Sequence, residues 1–184
     1  MEYKMNIAGL ERSLPLCKVA DELYIAAFIL FGDVEITKAS AKALLERAPE
    51  YDVLFTAECK SIPLIYEMAR QSGDDNYIIA RKGTKVYMHD VISAEVNSIT
   101  TAHPQVLYLD GEAAEAMKGK RVLIIDDVIS TGESLKCLEI LAQKAGANIV
   151  GKMAILAEGE AADREDIIYL EKLPLFNPDG SIKE

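Results

Sequence analysis

Val122-Leu-Ile-Ile-Asp-Asp-Val-Ile-Ser-Thr-Gly-Glu-Ser-Leu135 decides the fold of this chain. Four apolar residues read as a buried strand and end in two adjacent acids, Asp126 and Asp127. A loop of small and hydroxyl residues follows: Ser130, Thr131, Gly132, Glu133 and Ser134. Beyond it, Leu135, Leu138, Ala142 and Ala145 keep helical spacing, and Gly146 is a natural stop. Such a loop lets backbone amides face inward, and the helix adds its positive end, so the unit cradles an anion. The hydroxyls of Ser130, Thr131 and Ser134 add donors. The two acids would repel a phosphate, but they suit the hydroxyls of an attached sugar or a bound Mg²⁺. A capped turn before an ordinary helix explains Ser130 and Thr131 singly. It does not explain the whole run in its strand–loop–helix setting.

Working outward, short apolar runs alternate with helical patterns. Asp52–Ala57 reads as a strand, followed by a helix over Ser61–Gln71 with Leu64, Ile65, Met68 and Ala69 on one face. Pro63 falls in its first turn, where a missing amide costs little. Further strands are expected at Tyr77–Arg81, Gln105–Leu109, Ile149–Leu156 and Ile167–Leu170. This rhythm predicts an α/β fold with a central parallel β-sheet flanked by helices. In such sheets ligands bind at the carboxyl ends of the strands. Residues 1 to about 35 fit the rhythm poorly and read as a separate flap. The polar, irregular segment Gly83–Pro104 reads as functional or mobile.

The 184 residues fit one domain with a core that needs no disulfides. Cys17, Cys59 and Cys137 are scattered, without zinc or disulfide spacing, and read as reduced thiols. A net charge of −10 argues against a nucleic-acid partner. It leaves room for a small polyanion held by local cations and amides. The first residues lack a secretory pattern, and the most apolar stretch, Leu23–Phe31, is about half a membrane span. The expectation is a cytoplasmic protein with no membrane partner.

The run Ile124–Ser134 resembles the phosphoribosyl pyrophosphate (PRPP) signature of type I phosphoribosyltransferases. The resemblance implies their fold over residues 1–184, with a small N-terminal hood over 1–36 and a mobile loop over 83–104. It implies that Asp126 and Asp127 bind the ribose hydroxyls, and that Ser130 to Ser134 bind the 5′-phosphate, Glu133 only through its amide. Thr56-Ala-Glu-Cys-Lys-Ser61 is similar to the family's pyrophosphate loop, so Glu58, Cys59, Lys60 and Ser61 take that role, with Ser61 where relatives carry glycine. Ala80-Arg-Lys-Gly-Thr-Lys85 resembles the purine group's cationic loop, which assigns Arg81, Lys82 and Lys85 to pyrophosphate.

The same resemblance gives Asp127 and Glu95 as the catalytic pair, Glu95 as proton handler, while His89 and His103 read as surface residues. Mg²⁺ is the implied cofactor, bound mainly through PRPP. The implied substrates are PRPP and a purine, adenine first and xanthine or guanine second, in a homodimer. A PRPP-sensing regulator without catalysis is the reading from another class, and the missing basic footprint weighs against it.

Overall fold

The computed structural model describes residues 1–96 and 105–183. The chain opens with a β-hairpin, β1 (Glu2–Ile7) and β2 (Leu10–Ala20), whose two-residue turn is Ala8-Gly9. Both turn residues take positive φ, the geometry that matches the twist of a tight hairpin. β3 (Leu23–Ala26) continues the antiparallel order, and α1 (Val34–Leu45) starts at Asp33, whose carboxylate accepts from the Ile36 amide at 3.1 Å.

The core strands then follow: β4 (Val53–Ala57), α2 (Ile62–Ser72) and β5 (Ile78–Ala80). Next come β6 (Ile92–Val96), β7 (Gln105–Leu109), α3 (Gly111–Met117) and β8 (Arg121–Ile129). The chain closes with α4 (Glu133–Lys144), β9 (Asn148–Glu158), a 3₁₀ turn, β10 (Ile168–Leu173) and β11 (Leu175–Phe176).

The main sheet has the order β10-β9-β8-β4-β5, and all its pairs are parallel. The strand order therefore reverses between β4 and β8. That is the switch point, where a crevice opens outside the carboxyl ends. Successive residues of a strand face opposite sides. On β8, Leu123 and Ile125 join the core formed with α1, α2 and the hood, while Val122 and Ile124 join the core formed with α4.

The three strands within residues 1–26 build an antiparallel sheet in the order β1-β2-β3-β11. Its fourth strand comes from the far end of the chain, with Phe176 opposite Tyr24. The sheet is welded to the body through one continuous apolar cluster holding Ile7, Leu14, Phe28, Leu30 and Phe176. Two expectations change in detail. Gln105–Leu109 is a strand, but it pairs antiparallel with β6 and, among the described residues, is joined to the main sheet's edge by a bridge between Tyr108 and Arg81. The segment 83–104, expected as an irregular loop, contains β6; residues 97–104 lie outside the described part.

Candidate active site

Two strand–loop–helix units meet at the switch point. After β4 the chain passes through Glu58, Cys59 and Lys60, with a cis Glu58–Cys59 peptide, to Ser61 at the start of α2. After β8 it passes through Ser130 to Gly132 into α4. β8 runs past both acids to Ile129, so Asp126 and Asp127 sit within the strand, 9% and 3% exposed.

Ser61 explains how two buried carboxylates tolerate each other. Its hydroxyl donates to Asp126 Oδ1 at 2.6 Å and accepts from the Asp127 amide at 3.0 Å. That amide also reaches Asp126 Oδ1 at 2.9 Å. Ser61 adopts ordinary right-handed backbone angles, so glycine is not required there. Its side chain forgoes capping α2 because it is spent across the switch point. Burial first, and the neighbouring Asp127 charge second, push the Asp126 carboxyl well above its usual range.

The alternation of the strand divides the acids. Asp126 lines a cavity of about 100 Å³ whose other walls are Val128 to Leu135 and Gln105. Asp127 turns the other way and meets Lys60, with Nζ 3.2 Å from Oδ2 in an ion pair lacking hydrogen-bond geometry. Gly132 begins α4 at φ +80, a conformation side chains resist. A Cβ there would also lie 2.8 Å from Arg164 Nη1. Arg164 is held in place by Asp166, at 2.9 Å from Nε and 2.8 Å from Nη2. Ser134 Oγ accepts from Gln105 Nε2 at 2.7 Å, which ties the loop to β7.

The loop after β5 carries Arg81, Lys82 and Lys85 to the same edge. Glu58 connects it to the β4 loop: its carboxylate accepts from the Lys82 amide at 3.0 Å and lies 3.4 Å from Arg81 Nε. The Lys82 amide chiefly, with Arg81 next among the charges, holds Glu58 below the usual carboxylate range. Glu58 thus joins two loops through its side chain and holds Arg81 half-buried beside it. Cys59, Lys82 and Lys85 are exposed.

Glu95 lies one residue before Val96, which lines a cavity with Thr131, Gly132 and Glu133. It stands on the exposed side of β6 opposite Val106, while its neighbour Ala94 packs inward with Leu107. His89 is exposed, and His103 lies outside the described residues.

Sequence reasoning missed Gln105, Arg164 and, above all, Glu158. The last ends the apolar run Met153–Ala157 at a strand's carboxyl end, the same grammar that flagged Asp126. Among the described residues, no group of three or more His, Cys, Asp or Glu forms a metal cage, and no helix is long and apolar enough to cross a membrane. Cys17 and Cys59 are exposed free thiols, and Cys137 is buried.

Where its strand order reverses, the parallel sheet brings together an acid pair, the hydroxyl-rich loop at the head of α4 and the cationic loop after β5. The phosphoribosyl transferase domain model matches residues 33–174, and the chain belongs to that family. It is 35% identical over 109 residues to a hypoxanthine/guanine phosphoribosyltransferase of Methanotorris igneus, covering 59% of this chain and 55% of that one. It is 27% identical over 149 residues to an adenine phosphoribosyltransferase of Rhodococcus jostii, covering 79% and 78%. Among solved structures, adenine phosphoribosyltransferase from Thermoanaerobacter pseudethanolicus superposes with a TM-score of 0.66 at 20% identity, covering 78% of this chain and 84% of that one. That likeness shows the fold: a type I phosphoribosyltransferase sheet with flanking helices. The chain spans just over half the length of the hypoxanthine/guanine relative.

Proposed function

We propose that this chain transfers the 5-phosphoribosyl group from PRPP to a purine base, releasing pyrophosphate. The observation that carries the reading is the Asp126–Ser61–Asp127 cluster standing between the loop at the head of α4 and the cationic loop after β5. A base nitrogen attacks the anomeric carbon as the bond to pyrophosphate breaks, and positive charge develops on the sugar. No side chain needs to form a covalent bond. The residues position the sugar through Asp126 and Asp127, hold the 5′-phosphate on the amides of Ser130 to Ser134, and draw charge from the leaving group through Lys60, Arg81, Lys82 and Lys85.

Mg²⁺ fits this donor set: two carboxylates within one strand suit an ion held mainly by PRPP itself and by water. When bound, it neutralises charge on the leaving pyrophosphate. A homodimer belongs to the same reading; Ile29, Phe31, Val34 and Tyr66 are large apolar side chains left exposed near the α1 and α2 starts.

Adenine comes first by likeness, through the two pyrophosphate-side loops. Those loops address the leaving group, and carry little information about the base. Xanthine or guanine is the second reading, and guanine within it is favoured by a buried carboxylate, Glu158, in the wall of the hood cleft.

The test is pyrophosphate release from PRPP and Mg²⁺ with adenine, hypoxanthine, guanine, xanthine, uracil and orotate supplied separately. Turnover with a purine is expected, and Asp127→Asn should lower it at least ~100-fold, about 2.7 kcal/mol of barrier. Silence with every base, while PRPP still binds by calorimetry, would replace the transferase with a PRPP sensor.

A further inference from the structure

A cleft of about 260 Å³ lies between the hood and the carboxyl edge of the main sheet, lined by residues 25–29, Lys60, Val128, Ser130, Glu158 and Leu173. Pockets for drug-sized ligands run ~300–1,000 Å³, so this one suits a bare heterocycle. Its walls are mostly apolar: Ile25, Ala26, Ala27, Phe28 and Ile29 on the hood side, Val128 and Leu173 on the sheet side. Ser130 belongs to the phosphate loop, and Lys60 is paired with Asp127 at 3.2 Å.

Glu158 is the polar group left over. It closes β9 and is 9% exposed. Burial raises its pKa; the Ser130 hydroxyl, and the Lys60 charge after it, oppose that rise. The transfer chemistry derived above does not use it. A carboxylate in an apolar wall is costly unless a donor satisfies it, and a ligand that brings donors removes the cost.

We propose that Glu158 determines base specificity by accepting N–H donors from the edge of the purine, so that the cleft prefers a 2-amino-6-oxopurine of the guanine type. This inference rests on the purine-transferase reading and narrows it. An ionised carboxylate offers only acceptors. Guanine presents two neighbouring donors, its ring N1–H and its 2-amino group, which match the two carboxylate oxygens as a parallel, charge-assisted pair. Hypoxanthine offers one donor there. Adenine offers one amino hydrogen beside the N1 lone pair, which the carboxylate repels, and xanthine flanks its N1–H with two carbonyl oxygens. The expected order is guanine, hypoxanthine, then adenine and xanthine, with repulsion as important as attraction. Likeness through the pyrophosphate loops and the cleft point to different bases. The cleft outweighs the loops, because the loops address the leaving group.

The experiment is calorimetric titration of GMP, IMP, AMP and XMP into the wild-type protein and Glu158→Gln, with PRPP titrated into both. Wild type should bind GMP at least ~10-fold more tightly than AMP. Glu158→Gln should erase that preference by weakening GMP, while PRPP affinity stays within about threefold. Equal affinity of wild type for GMP and AMP, or an unchanged preference in Glu158→Gln, would overturn the role. Should Glu158→Gln fail to fold, the wild-type order of GMP and AMP decides alone. The two readings fail separately. No pyrophosphate release with any base, alongside the predicted nucleotide ranking, sinks the transferase and keeps Glu158. Turnover of purines without the ranking sinks Glu158 only.

Discussion

The corner at the head of α4 and the hood cleft share a wall at Val128 and Ser130 but are built in opposite ways. The corner is made almost wholly of one continuous run, Asp126 to Leu135, with Gln105 its single distant contributor. The cleft gathers residues 25–29, Lys60, Val128, Ser130, Glu158 and Leu173, which are scattered from the start of the chain nearly to its end. A phosphate needs amides and a helix start, which a dozen consecutive residues can provide. A base needs an apolar slot with one or two placed polar atoms, and that takes walls from several elements. The corner should therefore fail through local backbone changes, and the cleft through changes in how the hood is seated.

Gly132→Ala tests the first half and carries the largest expected effect on PRPP binding. It forces a side chain into the left-handed region, costing ~1–2 kcal/mol, and meets the Arg164 guanidinium besides. A Tm lower by about 2–8 °C is expected for a chain of this size, with PRPP affinity weakened at least ~10-fold. Adding Arg164→Ala should recover part of the loss. If the double variant is no better than the single one, the contact with Arg164 has no role in shaping the loop.

Asp126→Asn separates function from stability within the corner. Burial and the Asp127 charge raise the Asp126 pKa above its ordinary value of 3.8. Below that value the carboxyl is protonated in the folded and unfolded chains alike and costs nothing. As pH rises past it, the unfolded chain ionises first and folding stability falls until the folded group also ionises. Asn keeps an acceptor for Ser61 and removes the charge. The variant should melt a few degrees higher at neutral pH, a gain of about 1–2 kcal/mol, while losing transfer activity. The gain should fade as the pH approaches 3.8. A stability difference that ignores pH would show that the buried pair is not under strain.

The smallest effect probes the cleft through its seating. Arg12 of β2 joins Asp33 at 2.7 Å and Glu35 at 2.8 Å, tying the hood to the head of α1. These are partly exposed pairs, worth ~1 kcal/mol or less. Arg12→Ala should lower Tm by at most about 4 °C and weaken nucleotide binding about threefold, leaving PRPP unchanged. A larger loss on PRPP than on nucleotides would break the distinction between the two regions.

Much of this was legible in the chain because the deciding signals are local. The strand, acid pair, hydroxyl loop and helix fall in one unbroken run, and the expected strand at Gln105–Leu109 matches the folded one residue for residue. What stayed hidden needed distance. Ser61 reads as a missing glycine until the fold sets its hydroxyl against Asp126, 65 residues away. Glu95, assigned by resemblance, lands on the outer side of β6, because alternation along a strand fixes its face and Ala94 takes the inner one.

By itself, then, the sequence determined the parallel α/β core and the strand–loop–helix run that carries the acid pair and the Ser130 to Ser134 loop, since periodicity and strand–loop–helix grammar are properties of neighbours. The tertiary structure alone decided the rest. It closed the hood with a strand from the other end of the chain, locked Glu58 onto the next loop, and turned Glu158 into the wall of the cleft. Those placements depend on which elements pack together, and packing is settled by the burial of the whole apolar surface rather than by any one segment.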